Sequence, residues 1–398
     1  YESFLFIDFS TAPADILNLF NDLSDLNYIL MRLQLYYNVS LTPRKSAVVF
    51  DEVQFQPRAR QAIKHFVADG RFDYIETGSL ISIKKNVKDI LIPSEEETLY
   101  MHPLDYEEFR WALGDTATIP LLREIFQLRR PLGDAVHRKL LRDFRLYMLV
   151  GGMPQAVSEY IDKGDLRSVD DVKRRIIKLY EDDFYKIDAL GRISALYDSI
   201  PARLNNGAAF RVNTILGTDS DTETIEQMIA ELRASMTVNI SFHANDPHAG
   251  MSLTKDFRRY KIFVGDTGLA VTLAFKDKEF TDNDIYTKLW NDKLGSNLGF
   301  IYENIVAQTL VATGKDLFYY TFPSESGKHN YEIDFLLPDS HKISPVEVKS
   351  SGYKRHTSLD RFCEKYSDRI LNRYLLYTKD IHKNGSTLCL PVYLAQFL

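Results

Sequence analysis

Cysteine is nearly absent: Cys363 and Cys389 are the two in a chain of 398 residues, with no CxxC spacing between them. That excludes a disulfide framework and a cysteine-rich zinc site, and it suits a reducing compartment. No apolar run approaches the roughly 18 residues that a membrane-spanning helix needs. Low-complexity tracts and internal repeats are missing as well, which excludes fibrous, solenoid and disordered classes. Nor is there an excess of positive charge: 49 Lys and Arg against 55 Asp and Glu leave a net −6. Such a balance argues against a surface wholly devoted to nucleic acid, while leaving room for a local basic face. No signal-like stretch precedes Tyr1, and YESFLFIDFS reads as an interior strand, so the sequence is expected to begin within a domain of a cytoplasmic protein.

What is present is ordinary globular sequence, 45% hydrophobic and 26% charged, with 23 Tyr and 24 Phe to fill several cores. The length accommodates two or three domains. Residues 1–145 alternate strand and helix. SFLFIDF and SAVVFDE are dense in Phe, Val and Ile, as in strands buried on both faces of a parallel sheet; PRARQAIKHFVADG predicts a helix from Pro57 to Gly70; FDYIETGS returns as a strand. This rhythm gathers polar strand ends on one edge of the sheet, where such folds bind ligands. Residues 146–265 read as helical, broken at Gly-Gly-Met-Pro, and closing on two strands in the order of a winged helix. Residues 266–398 open with an amphipathic helix, GFIYENIVAQTLVATG, and continue with LFYYTF, YEIDFLL and SPVEVKSS as strands, SLDRFCEKY as a helix and RYLLYTKD as the last clear strand.

SAVVFDEVQ has the form of a Walker B strand. An Asp at the tip, Asp51, can hold magnesium, and the following Glu52 can polarise an attacking water. Downstream, the strand ending in Thr77, Gly78 and Ser79 can place a hydroxyl beside a γ-phosphate. The bland alternatives are a buried strand ending on two solvated acids and a hydroxyl-capped turn.

The wider text, FDEVQFQPRARQAIKHFVADGRFDYIETGSLISI, MHPLDYEEFRWALGD and FRLYMLVGGMPQAV, resembles the bacterial and archaeal AAA-type ATPases that carry a DUF4143 domain at their carboxyl end. The resemblance covers nearly the whole chain. It implies that Asp51 binds Mg2+, Glu52 is catalytic, Thr77 or Ser79 senses the nucleotide, and ATP is the ligand. It also implies a homo-oligomer among the partners, and no membrane. One departure stands out. No GxxxxGK[ST] occurs, and the two Gly-Lys pairs, Gly314-Lys315 and Gly327-Lys328, are followed by Asp and His. In the family the phosphate loop precedes the strand equivalent to YESFLFIDFS, so it is expected to have ended before Tyr1. Without its amide nest and lysine this chain is expected to be a poor ATPase. Arg110, Arg142 and Arg145 lie where an arginine finger could, yet each also fits a solvated helix face.

Two clusters of bases, Arg174, Arg175 and Lys178, then Arg258, Arg259 and Lys261, could face DNA from the middle module, although TETIEQMIAELRASM, the candidate reading helix, is acidic in its first half. The carboxyl-terminal text is chemically sharper. Glu347 and Lys349 share one face of a strand by period two, and a neighbouring strand can bring Asp334 beside them. Two carboxylates and a lysine can bind Mg2+, orient water and stabilise a phosphate. This is the D…(D/E)xK arrangement of restriction-endonuclease-like (PD-(D/E)xK) folds, with Glu303 on the preceding helix as a further acid. Lys354, Arg355, Arg361, Lys365 and Arg369 would offer phosphates a landing surface; equally, they would suit a solvated helix.

The expectation is thus an α/β multidomain protein. It comprises a partial P-loop NTPase (AAA-like) parallel sheet over 1–145, a helical and winged-helix-like module over 146–265, and a restriction-endonuclease-like domain over 266–398. Its function is ATP binding and hydrolysis, with a metal-dependent nuclease or a non-catalytic binding module for nucleic acid or protein as alternatives.

Overall fold

The computed structural model describes residues 1–78, 97–205, 210–211, 222–277, 285–290, 299–327 and 329–398. They form two compact units, residues 1–101 and 102–398, of mixed α/β architecture.

The first unit is a parallel sheet in the order β1 (Ser3–Asp8), β2 (Ser46–Asp51), β3 (Asp73–Glu76). Helix α1 (Leu26–Tyr37) connects β1 to β2, and α2 (Pro57–Asp69) connects β2 to β3. Asp25 caps α1 by accepting from the Tyr28 amide at 2.9 Å. Pro57 opens α2, and Gly70 closes it at φ 70°, a left-handed stop that glycine adopts without strain. Leu5, Ile7, Val48, Phe50 and Phe66 bury one face of the sheet, with the rings of Phe9, Phe20 and Phe50 in mutual contact, centroids 5.4–5.6 Å apart. The other face differs from expectation. Only β2 is covered on both sides; on β1 and β3 the alternate residues Phe4 (62% exposed), Phe6 (45%) and Ile75 (46%) stand open. The register pairs Phe6 with Val49 and Val49 with Ile75, so these side chains lie on the same face. Among the described residues β3 is paired on one edge only.

The second unit begins with helices α3 (Tyr106–Ala112), α4 (Thr118–Leu128), α5 (Asp134–Val150), α6 (Pro154–Lys163), α7 (Leu166–Ile187) and α8 (Arg192–Asn205). It continues through β4 (Phe210–Arg211), α9 (Thr222–Ala234), β5 (Val238–Ala244), β6 (Lys255–Val264), α10 (Thr267–Ala274), α11 (Ile285–Trp290) and α12 (Gly299–Ala312). The remainder is β7 (Leu317–Pro323), β8 (Asn330–Ile333), β9 (Phe335–Asp339), β10 (Lys342–Val348), α13 (Thr357–Lys365), β11 (Arg373–Tyr377), β12 (His382–Asn384) and β13 (Thr387–Pro391). Two five-stranded sheets result, ordered β4-β6-β5-β7-β8 and β12-β13-β11-β10-β9. The ribbon expected as a wing, β5–β6, lies inside the first of these. β5 pairs with β6 on one side and, in parallel, with β7 on the other, so the sheet runs across the expected boundary at residue 265. Strand β13, which the sequence reading passed over, pairs in parallel with β11.

The Gly-Gly-Met-Pro break is a close crossing of backbones. Gly151, at φ 84°, ends α5; the Gly152 amide donates to Asp266 Oδ2 at 2.6 Å, and the Gly152 carbonyl accepts from the Leu104 amide at 2.8 Å. A Cβ on Gly152 would fall on the Leu104 carbonyl. Gly152→Ala is therefore expected to destabilise this unit by about 2–3 kcal/mol, the cost of overpacking against backbone, seen as a lower urea midpoint with an unchanged slope.

Helix α12 departs from the amphipathic expectation. Nearly every residue from Phe300 to Leu310 is buried, and its polar positions are consumed internally. Asn304 holds both backbone groups of Val264 at 2.9–3.0 Å, and Gln308 accepts from Thr267 and donates to Tyr147. Nearby on α7, buried Lys173 donates to the carbonyls of Leu149 (2.6 Å) and Gly268 (3.1 Å) and to the Tyr286 hydroxyl (2.9 Å). Tyr286 and Thr272 both donate to Asp170 Oδ1, and Arg174 to its Oδ2.

Candidate functional site

In the first unit the carboxyl ends of the strands converge. β1 and β2 run in register so that Asp8 pairs with Asp51, and both strands end on an acid. The Thr77 amide donates to the Phe50 carbonyl at 2.9 Å and the Val53 amide to the Thr77 carbonyl at 3.0 Å, which fixes Thr77 beside Asp51. Its hydroxyl then donates to Asp51 Oδ1. Glu52 follows in a left-handed conformation at φ 54°, ψ 43°, uncommon for a residue with a side chain, and starts a short 3-10 turn, Val53–Phe55. Gln54 donates to the Glu52 carboxylate. Of the expected residues, the structure brings together Asp51, Glu52 and Thr77; Ser79 lies outside the described residues. Asp8 was missed, although the run SFLFID ends on an acid just as SAVVFD does. Its pKa is held below the ordinary value by hydrogen bonds from the side chains of Ser10 and Thr11.

A second constellation sits where β8 and β9 meet. Asp334 is the one residue between them, at the point where the chain passes from one five-stranded sheet to the other. It is buried, and its Oδ2 accepts from the Val348 amide at 2.7 Å, which pins it against β10. Glu347 on β10 is likewise buried and bonded to Lys349 Nζ at 2.7 Å, while its Oε2 is enclosed with no hydrogen bond among the described residues. From β6, buried Lys261 reaches Glu332 at 2.5 Å and Glu303 at 3.4 Å. Burial, then the charges of Glu347 and Glu303, push the Asp334 carboxyl well up; Lys261 and Lys349 oppose them. Glu347 is raised as well, mainly by burial, with Lys349 pulling the other way. The structure thus gathers Glu303, Asp334, Glu347 and Lys349 and adds Lys261 and Glu332, which the sequence reading had not placed here. Among the described residues no three His, Cys, Asp or Glu side chains converge as a metal-binding group.

Three family models match the chain. An AAA domain covers residues 1–110, a domain of unknown function (DUF8612) residues 141–279, and a domain of unknown function (DUF4143) residues 298–393. Segments of the chain thus match the AAA and DUF4143 models at the domain level, and no single model spans half of it. No curated protein matches it. Among solved structures, the crystal structure of protein VC1899 from Vibrio cholerae aligns over 99% of this chain and 95% of that one, at 10% identity and a TM-score of 0.20. A likeness that low carries no argument. The AAA segment contains the Asp51–Thr77 constellation, and the DUF4143 segment contains Glu303, Asp334, Glu347 and Lys349.

Several other expected bases are engaged elsewhere. Arg110, at the end of the AAA segment, is buried between Asp115 and Asp143, which suits a structural anchor rather than a finger. Within the DUF8612 segment Arg174 pairs with Asp170, Lys178 with Glu181 and Asp182, and Arg259 bonds Thr321. In the DUF4143 segment Arg361 pairs with Glu325 and Glu364, and Arg369 with Asp246. Cys363 and Cys389 are free and buried. Among the described residues no helix is long and apolar enough to cross a membrane.

Proposed function

We propose that residues 1–101 form the Walker B and sensor half of an AAA-type ATP-hydrolysing site. The observation that carries this reading is the β1-β2-β3 sheet, which sets Asp51, Glu52 and Thr77 at one end and, among the described residues, has an unpaired β3 edge and an exposed apolar face. Parallel sheets are ordinarily covered on both faces. The open β3 edge and the Phe4–Phe6–Ile75 face therefore have the shape to receive a further strand and helix, the elements that frame a phosphate loop. Asp51 fits a magnesium ligand: it stands at a strand tip, with one oxygen engaged by Thr77 and no hydrogen bond to the other among the described residues. Bound Mg2+ would neutralise phosphate charge there. Glu52 orients the attacking water, and Thr77 reports the γ-phosphate to β3. The 398 residues contain no GxxxxGK[ST]. On their own they are expected to hold ATP weakly and not to turn it over. Joining them to a phosphate-loop strand, loop and helix tests the reading: magnesium-dependent turnover should appear and should require Glu52.

The Asp334 cluster favours a second activity, metal-dependent phosphodiester cleavage. Glu303 on a helix, Asp334 at a strand junction, Glu347 on β10 with Lys349 just past its end, then α13 and β11, follow the order of a D…ExK nuclease core. The enclosed Glu347 Oε2 and the mutual repulsion of two buried carboxylates are features that a cation would relieve. Mg2+ can be held by two carboxylates with waters and substrate phosphate supplying the rest. Incubation with single- and double-stranded DNA and Mg2+ or Mn2+ is expected to give cleavage that Asp334→Ala and Lys349→Ala each abolish. Equal cutting by wild type and both variants would remove this activity from the cluster.

A further inference from the structure

The second unit contains a cavity of about 650 Å³ between α5 and the end of β11. Its lining carries five cations, Arg138, Lys139, Arg142, Arg145 and Lys379, against one carboxylate, Asp134. In a chain of net charge −6 this is a concentrated exception. Part of the charge is spent locally, since Arg138 pairs with Asp134 and Lys139 with Asp143. Arg142 and Lys379 are exposed and have no ion pair among the described residues. Arg145 is buried, with Nε directed to the Tyr302 hydroxyl at 3.3 Å.

The position of the cavity gives this charge a meaning. Thr378 in its wall donates to the carbonyl of Ser350 at 3.4 Å, and Ser350 directly follows Lys349. Arg145 contacts Tyr302, which directly precedes Glu303. Its walls are therefore tied, one residue away, to two members of the Asp334 cluster. Planar guanidinium groups beside flexible ammonium groups suit successive phosphates, and a concave wall concentrates their field.

We propose that this cavity binds the phosphate backbone of a nucleic-acid strand and leads it toward the Asp334 cluster. The destination rests on the cleavage reading given above; the binding itself does not. Fluorescence anisotropy of a labelled single-stranded oligonucleotide, titrated with the full chain over a range of salt, tests it. The double variant Arg142→Ala/Lys379→Ala is expected to weaken binding about tenfold or more and to reduce the slope of log affinity against log salt by roughly 1–2. Lys163→Ala/Lys186→Ala, which removes two exposed charges elsewhere, should leave both unchanged. All four side chains are exposed, so folding is preserved. Wild-type affinity and slope in the Arg142/Lys379 variant would overturn the proposal, as would tighter binding of ATP than of the oligonucleotide at this site. If the oligonucleotide binds as expected and is never cut, the cavity stands and the cleavage reading falls. If it is cut while the Arg142/Lys379 variant binds normally, the cavity assignment falls alone.

Discussion

With a phosphate loop joined to these residues, Glu52→Gln is expected to retain magnesium-dependent ATP binding while turnover drops by roughly 10²–10⁴-fold, the range for losing a positioned general base. Gln matches Glu in size and can still contact a water, but it cannot polarise it. Glu52 also holds a left-handed backbone, a conformation that costs about 1 kcal/mol or more outside glycine and persists where the surroundings impose it. Here the imposing contacts are the amide of Val53 on the Thr77 carbonyl and the hydroxyl of Thr77 on Asp51. The expected signature is thus a kcat effect with little change in KM. A steady-state assay with a binding isotherm for each variant reads both.

Lys173→Met is expected to destabilise the second unit by about 3–5 kcal/mol, because it strips one partner from a buried polar network. All three ammonium protons have acceptors on Leu149, Gly268 and Tyr286; after substitution two enclosed carbonyls lose their donor. Trp111 and Trp290 are the chain's two tryptophans, and both lie in this unit, so tryptophan fluorescence during urea unfolding reports on it alone. The effect depends on pH with a definite sign. Burial lowers the Lys173 pKa from 10.5 to about 8. Below about 8 the lysine is charged in folded and unfolded chains alike, and no proton is exchanged. Between about 8 and 10.5 the unfolded chain keeps a proton that the folded chain has released, so this group's contribution grows as pH rises and is lost as pH falls through 8. The stability gap between wild type and Lys173→Met should therefore widen from pH 8 to pH 10.

Features carried by short stretches were legible in the sequence. The apolar run before Asp51 reads as a buried strand because only a central strand can hide that many consecutive apolar side chains; β2 does so, while β1 and β3 do not. Pro57, Gly70 and the Gly151-Gly152 break marked element ends through backbone conformation alone. The period of two placed Glu347 and Lys349 together, and Asp334, expected beside them from a neighbouring strand, is held there by the Val348 amide.

Long-range pairing was not legible. Nothing local says that Lys261, one of three bases within four residues, turns inward to Glu303 and Glu332 while Arg258 stays outside. Asn304 and Gln308 lie on a helix expected to be amphipathic, yet they serve backbone groups some 40 residues away. Strand β13 was missed because TLCLP is short and ends in proline, which is tolerated there at the strand's last residue. Lys173 attracted no notice beside Arg174 and Arg175, although it is the buried one of the three.

The function of the first unit turns on whether Asp51, Glu52 and Thr77 are half of an ATP site. The most direct measurement is magnesium-dependent phosphate release from ATP by two samples assayed together: the 398 residues alone, and the same residues joined to a GxxxxGK[ST] strand, loop and helix. The account predicts no release above buffer from the first, and from the second a release that Glu52→Gln stops. Release by the 398 residues alone that vanishes with Glu52→Gln, or release by the joined protein that Glu52→Gln leaves unchanged, would contradict it.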